Sequence, residues 1–264
     1  MTSRLLTAGL ALALSIPLPG IAQTPEEKGL EIARAADARG DGFGDFQADM
    51  KMVLITKRGD QAERELRVKT LEGKGELEGD KSLTIFDTPR DVRGTAMLTF
   101  SYKTKDDDQW LYLPALRRVK TIASRNKSGP FMGSEFSFED MRGQEVEKYT
   151  YKYLREEACG ELTCHVMERY PTDEHSGYTK MVVWLDKDEY RTWKVEYYDR
   201  RGSLLKTLES SDFSQYKDNF WQPARMSMVN HQTGKATNLF WSNYQYDTGL
   251  TEDDFNQNSL KRAR

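Results

Sequence analysis

From about Phe46 to Tyr246 the chain repeatedly alternates apolar and polar side chains with a period of two, which is the repeat of a half-buried β-strand. In the first run, Met50, Met52 and Leu54 occupy every second position. Similar runs recur at about ten-residue spacing, separated by turn-forming residues. So many consecutive strands without intervening helices favour one large antiparallel sheet that is strongly curved or nearly closed.

One helix is predicted before the first strand. Thr24 is followed by Pro25 and two glutamates, which is typical of a helix N-cap with proline in the first turn. We expect this helix to run to about Arg39 and to lay a narrow apolar stripe across the sheet.

The first 22 residues have the features of a cleavable export signal. Arg4 supplies a positive charge, residues 5–18 are mostly apolar, and Gly20 and Ala22 place small residues before the expected cleavage site. The apolar run is shorter than the ~20 residues of a membrane-spanning helix. We therefore expect a signal peptide over residues 1–22, cleaved near Ala22, and one exported, soluble domain over residues 23–264.

Charge and composition narrow the possible functions. Without Arg4 the chain has 38 Lys and Arg against 42 Asp and Glu, so no overall attraction for nucleic acid is expected. The three histidines form no H-E-x-x-H pattern, and we expect no metal or other cofactor. The Asp106-Asp107-Asp108 run is interpreted as a charged turn, because adjacent strand residues point to opposite faces.

Evidence for an enzyme is thin, because the chain has no G-x-S-x-G nucleophile motif. A non-enzymatic role is therefore the prediction. An unrecognised hydrolase that uses the neighbouring carboxylates of Glu139 and Asp140 is the alternative.

The two cysteines, Cys159 and Cys164, flank a Gly-Glu-Leu-Thr stretch that is interpreted as a tight turn between two strands. In an oxidising compartment we expect a disulfide that closes this hairpin. The alternative is a redox or metal site, for which His165 alone does not complete a zinc ligand set.

Residues 123–143 interrupt the alternation with an unusually apolar connection. They include Phe131, Phe136 and Phe138 together with two methionines. A long connection of this composition is either a plug tucked into the core or a lid over a cavity. The sequence leaves both alternatives open.

Two motifs in the middle of the chain resemble a known family. They are Trp110-Leu111-Tyr112-Leu113-Pro114 with Arg117-Arg118-Val119-Lys120, and Gly133-Ser134-Glu135-Phe136-Ser137-Phe138-Glu139-Asp140-Met141. Both are similar to patterns of the outer-membrane lipoprotein-sorting proteins related to LolA and LolB. Residues 42–45 and the hairpin of residues 180–197 resemble the same branch, so the likeness covers most of the mature chain.

The resemblance implies a mainly β fold: a single curved sheet forming an unclosed β-barrel around an apolar cavity, with an N-terminal helix and an internal plug. It also implies a periplasmic carrier that receives the acyl chains of lipids or lipoproteins and contacts membranes transiently. An RND/MMPL-type inner-membrane transporter is the partner that this branch implies.

The residues support a cavity, because Trp110 and Tyr112 share one strand face while Leu111 and Leu113 share the other. A strand that is apolar on both faces fits a sheet that bends over apolar groups. The residues expected to line the cavity or its lid are Leu98, Phe100, Trp110, Tyr112, Phe131, Phe136, Phe138 and Trp193. A helix and ordinary core that fill the interior are the alternative.

A basic cluster follows the Trp110 strand. Arg117, Arg118 and Lys120 are expected to meet anionic headgroups or a partner, at about 1 kcal/mol for each charge near a surface. The alternative is a solvated strand face.

Two functions from different classes therefore remain. One is a carrier that shields acyl chains by apolar burial. The other is an accessory subunit that docks on an envelope transporter and holds no ligand.

Overall fold

The computed structural model describes residues 23–262, in which thirteen strands form one antiparallel sheet. The predicted signal peptide lies outside these residues. The strands are β1 (Asp45–Ile55), β2 (Gln61–Leu71), β3 (Glu78–Thr88), β4 (Ala96–Tyr102), β5 (Asp108–Leu113), β6 (Arg118–Thr121), β7 (Tyr149–Cys159), β8 (Leu162–Pro171), β9 (Tyr178–Asp186), β10 (Thr192–Asp199), β11 (Leu204–Tyr216), β12 (Phe220–Asn230) and β13 (Ala236–Tyr246). The predicted mainly β fold, with a single curved sheet, is confirmed.

The sheet consists of two meanders joined in the middle. The strand order is β6-β5-β4-β3-β2-β1-β13-β12-β11-β10-β9-β8-β7, so paired strands are consecutive in sequence everywhere except where β1 pairs with β13. Met52 lies opposite Leu239 at that junction. Strands β6 and β7 are the two edges, and they are not paired with each other, so the sheet is unclosed.

The predicted helix is α1 (Pro25–Gly40). Its N-terminus is a capping box: the Glu27 N–H donates to Thr24 Oγ1 at 3.2 Å, and the Thr24 N–H donates to the Glu27 carboxylate at 2.9 Å. The helix packs on β7, where Gly29 lies against the strand backbone. Ile32 and Ala33 are buried on the same helix.

We call the sheet face that contacts α1 the inner face. Its core draws residues from both meanders, among them Met50, Met52, Leu66, Val68, Phe86, Met97, Leu111, Met181, Val183, Val195, Leu208, Met228 and Leu239. Ile32 and Ala33 of α1 belong to the same cluster. The helix therefore covers part of an apolar surface that runs across the whole sheet.

The outer face of the first meander has a second core, which includes Leu71, Leu83, Ile85, Ala96 and Leu98. Phe255 and Leu260 cover it. Leu260 lies in α2 (Gln257–Arg262), a short C-terminal helix, and a 3₁₀ turn (Glu252–Asp254) precedes Phe255. Strands β3 to β5 are therefore apolar on both sides.

The disulfide between Cys159 and Cys164 is present, with Cα atoms 5.8 Å apart, which confirms the predicted hairpin closure between β7 and β8. Because the closed loop is so short, its effect on chain entropy is smaller than the ~3 kcal/mol of a fifteen-residue loop.

Among residues 23–262, no helix combines the length and the apolar character needed to cross a membrane.

The contact of α1 with β7 yields a stability prediction. A Cβ at Gly29 would lie 2.9 Å from the backbone nitrogen of Tyr153, whereas a Cβ at Gly40 would meet nothing within 4 Å. We expect Gly29→Ala to lower the free energy of unfolding by about 1 kcal/mol through overpacking. Gly40→Ala should not lower the free energy of unfolding. Urea unfolding measures both, and an equal effect of the two substitutions would contradict the close approach.

Candidate functional site

Residues 122–148 connect the two edges of the sheet, and we call them the plug. The plug contains four short 3₁₀ turns: Ser124–Asn126, Phe131–Gly133, Phe138–Met141 and Val146–Lys148. Phe131 is fully buried and Phe136 is 3% exposed, and both belong to the inner-face core. The sequence left open whether this segment is a plug in the core or a lid over a cavity, and in the structure it is packed as a plug.

Aromatic packing fixes the apolar side of the plug. The ring of Phe131 lies 5.8 Å from the ring of Phe86 on β3 and 5.8 Å from that of Phe138. Edge-to-face and tilted ring pairs at this separation are favourable. The plug thus takes the position that a second sheet would have in a β-sandwich.

Polar contacts attach the centre of the plug to three strands. The Glu135 N–H donates to Thr237 Oγ1 on β13 at 3.0 Å, and Asn230 Nδ2 on β12 donates to the Glu135 carboxylate at 2.7 Å. Lys206 Nζ on β11 donates to the Glu135 carbonyl oxygen at 2.8 Å. These strands therefore hold both the backbone and the side chain of Glu135.

A buried ion pair lies beside this attachment. Lys206 Nζ is 2.6 Å from Asp140 Oδ2, and the side chains are 4% and 5% exposed. The same carboxylate accepts the Tyr178 hydroxyl at 2.9 Å and the Ser137 N–H at 2.7 Å. Burial and the neighbouring Asp140 carboxylate raise the pKa of Tyr178 well above its usual value, so it remains a hydrogen-bond donor.

Glu139 makes a separate attachment to the β8–β9 turn. Its carboxylate accepts Ser176 Oγ at 2.8 Å and the Gly177 N–H at 2.9 Å. Burial raises the pKa of Glu139 despite these hydrogen bonds. Glu139 and Asp140, the carboxylates of the hydrolase alternative, therefore both bind the plug to the sheet.

The end of the plug is held by Asp107, whose side chain is 2% exposed. Arg142 Nη1 donates to Asp107 Oδ2 at 2.7 Å, and Lys148 forms an ion pair with the other oxygen. The predicted charged turn of residues 106–108 is thus also an anchor. A polar cleft of about 660 Å³ lies here, between the β4–β5 turn and the start of β7.

A second cleft, of about 390 Å³, lies between the plug and strands β9 to β11. Phe136, Tyr178 and Leu205 give it an apolar side, and Arg200 and Arg201 lie at the neighbouring β10–β11 turn. This cleft connects solvent with the plug close to the inner-face core.

The structure divides the eight expected cavity residues among three clusters. Phe131, Phe136 and Phe138 belong to or pack against the inner-face core. Leu98, Phe100, Trp110 and Tyr112 belong to the outer-face cluster under the C-terminal segment, and Trp193 packs against a third cluster near the disulfide. Consecutive strand residues point to opposite faces, so these groups cannot line one cavity together. Contact of any of them with a ligand stays a prediction.

The three basic residues expected to meet headgroups, Arg117, Arg118 and Lys120, are all exposed, at or just after the β5–β6 turn. Lys127, which follows these residues in the sequence, is instead buried and ion-paired with Asp173. Burial lowers the pKa of Lys127 to about 8.

Three residues that bind the plug were not predicted from the sequence: Lys206, Tyr178 and Asn230. A signal for Lys206 was present, because it shares a strand face with Leu208 and Ser210 and therefore takes a core position in β11. A lysine at a core position predicts a buried acidic or carbonyl partner.

A further apolar surface lies at the opposite end of the inner face. Its rings belong to β1, the β11–β12 hairpin, β13 and the segment before β1: Phe43, Phe46, Tyr216, Phe220, Trp241, Tyr244 and Tyr246. All except Phe220 are partly exposed.

Within the described part of the chain, no group of three or more His, Cys, Asp or Glu side chains is arranged to hold a metal ion.

Known proteins share this architecture. A family profile described as "-like: Uncharacterized protein" matches residues 78–262. An outer membrane lipoprotein-sorting protein domain from Vibrio parahaemolyticus is 54% identical, with a TM-score of 0.87 over 90% of this chain and 100% of that one. A DUF1329 family protein from Desulfovibrio piger is 30% identical, with a TM-score of 0.85 over 90% of this chain and 99% of that one.

A more distant structure has the same fold. A LolA superfamily protein from Nitrosomonas europaea is 21% identical, with a TM-score of 0.68 over 88% of this chain and 98% of that one. No curated protein matches the sequence significantly.

The buried ion pair yields a prediction about the plug. Lys206→Met leaves the Asp140 carboxylate buried with neutral donors only, and we expect it to lower the free energy of unfolding by about 3 kcal/mol. Lys180→Met is the matched control, because Lys180 also pairs with a carboxylate at 2.6 Å but is 32% exposed. Its loss should cost less than about 1 kcal/mol. Urea unfolding in which both variants lose the same amount would contradict the anchoring role of Lys206.

A pair of buried acids yields a pH prediction. Burial, together with repulsion from Asp80 and Asp37, raises the pKa of Glu145 in the plug to about 7, although Lys148 and Lys103 oppose the shift. Burial likewise raises the pKa of Asp80 on β3 to about 6. The folded protein therefore holds protons that the unfolded chain releases, so stability should fall as the pH rises from about 4.5 to about 7 and then level off.

Glu145→Gln removes one of these two contributions. We expect the variant to have a flatter dependence of unfolding free energy on pH across that window, measured by urea unfolding at several pH values. An unchanged slope would show that Glu145 titrates normally.

Proposed function

Since the chain belongs to the family of the outer membrane lipoprotein-sorting protein domain and the DUF1329 protein, and shares the fold of a LolA superfamily protein, we propose that it is a periplasmic carrier that shields the acyl chain of a lipid or lipoprotein. The acyl chain would lie on the inner face of the sheet, in the place now taken by the plug. The role is one of binding and release, and it requires no covalent chemistry.

The observation that carries this proposal is the way the inner face is covered. The face is apolar across both meanders, yet apart from helix α1 its cover is the single connection of residues 122–148 rather than a second sheet. Polar side chains on β9, β11, β12 and β13 hold that connection. A cover of this kind can leave as a unit and expose the apolar face.

Magnitudes support an exchange of plug for ligand. Each buried methylene contributes about 0.8 kcal/mol, so ~10 methylenes of an acyl chain contribute about 8 kcal/mol. Loss of the buried Lys206–Asp140 pair costs about 3–5 kcal/mol. When the plug moves as a unit, its hydrophilic groups also regain water, which reduces that cost. Burial of an acyl chain therefore more than offsets the loss of this ion pair, which is one of the attachments that an opening plug gives up.

The cleft beside Phe136 is the proposed point of entry. It reaches the plug at the position where Glu135 and Asp140 meet Lys206, so a ligand that enters there meets the attachment first. The aromatic surface around Tyr216 and Tyr244 would extend the apolar path at the far end of the inner face.

One observation favours the alternative, an accessory subunit that holds no ligand. Phe131 and Phe136 already occupy the inner face and are almost completely buried. A docking partner for such a subunit, such as an RND/MMPL-type transporter, stays a prediction.

Native mass spectrometry, with lipid extraction, on protein purified from the periplasm without detergent separates the two functions. The carrier predicts a reproducible added mass that matches a phospholipid or an acylated peptide and disappears after extraction. A clean unliganded mass that also resists loading with added lipid would contradict it and favour the accessory subunit.

The same assay tests the plug as the gate. Because Lys206→Met weakens the closed state, we expect it to increase the fraction of protein loaded at a fixed lipid concentration. Lys180→Met should load like the unsubstituted protein. Equal loading of all three folded proteins would exclude plug opening as the limiting step.

A further inference from the structure

The two rims of the sheet differ in charge. In an antiparallel meander, successive turns alternate between the rims. We call the rim formed by the turns after β1, β3, β5, β8, β10 and β12 the basic rim. Its turns are residues 56–60, 89–95, 114–117, 172–177, 200–203 and 231–235.

Exposed cations concentrate on the basic rim. Its turns contain eight Lys and Arg against four Asp and Glu, and all eight cations are exposed. They are Lys57, Arg58, Arg90, Arg93, Arg117, Arg200, Arg201 and Lys235. The opposite rim, formed by residues 41–44, 72–77, 103–107, 160–161, 187–191 and 217–219, contains nine acidic and six basic residues.

Direct contacts join four of the six turns of the basic rim. Lys57 lies against Gly234, where a Cβ would be 3.2 Å from its side chain. Gln232 Nε2 donates to Asp199 Oδ2 at 2.8 Å, and Arg200 donates to the Glu174 carbonyl oxygen at 2.7 Å. Positive charge is thus spread along a surface rather than gathered at one point.

We propose that the basic rim docks on the surface of a bilayer that contains anionic phospholipid. A row of separate, exposed cations matches a plane of headgroup charge better than it matches a single anionic ligand. Leu116, at the tip of the β5–β6 turn, is 68% exposed beside Arg117 and supplies an apolar contact at the same surface.

The opposite rim, which has more acidic than basic residues, determines how the protein is oriented on the bilayer. The mature chain has a net negative charge, so an anionic surface repels the molecule as a whole and attracts it only through the basic rim. Arg200 and Arg201 of this rim also line the cleft beside Phe136. If the proposed acyl carrier is correct, docking therefore brings the entry cleft to the bilayer, although docking itself does not depend on it.

Vesicle sedimentation tests the proposal with full-length mature protein. The probes are vesicles of phosphatidylcholine alone and of phosphatidylcholine mixed with phosphatidylglycerol. We expect binding to the mixed vesicles only, with loss of binding at high salt because exposed charges are screened. Equal binding to both vesicles, or none to either, would overturn the proposal, and the second result would point to an acidic protein as the partner.

Two charge-reversal variants separate a local surface from overall charge. Arg58→Glu with Arg90→Glu alters the basic rim and should weaken binding at least about tenfold. Lys74→Glu with Lys217→Glu makes the same change in net charge on the opposite rim and should leave binding unchanged. Equal losses of vesicle binding in the two variants would overturn the docking proposal. If the first variant still loads lipid, the carrier function stands even where docking has failed.

Discussion

The fold depends on covering the apolar inner face of a sheet that does not close. Strands β6 and β7 end the sheet without pairing, so neither a barrel wall nor a second sheet covers the side chains of both meanders. Helix α1 covers one part and residues 122–148 cover another. The chain between the two edges is therefore both the connection that the topology requires and the cover that the core requires.

The proposed carrier requires a cover that is ordered and yet separable, and the attachments of the plug fit both requirements. Its three phenylalanines supply apolar burial, whereas Asp140, Glu139 and Glu135 make contacts that water can replace once they are exposed. In the proposed carrier, an acyl chain that replaced the plug would conserve the apolar burial of the inner face. Such an interior can be filled in the free protein and still belong to a carrier.

The sequence predicted local structure well, because period-two alternation and the Thr24 cap are local signals. It could not assign faces in β4, where Met97 and Leu98 are both buried on opposite sides and alternation disappears. The C-terminal segment that makes the outer face apolar carries no strand pattern, so nothing indicated that Leu98 and Trp110 would pack beneath Phe255. The plug motif was visible, but its partner Lys206 lies 66 residues from Asp140 in sequence.

Hydrogen–deuterium exchange of residues 122–148, with and without bound lipid, tests the exchange of plug for ligand most directly. The amides of Phe131 and Glu139 donate to carbonyl oxygens within the plug, so their exchange reports its closed state. If a bound acyl chain displaces the plug, the plug amides exchange faster in lipid-loaded protein while the amides of β1 and β13 stay protected. Unchanged or slower exchange of the plug with lipid bound would contradict it.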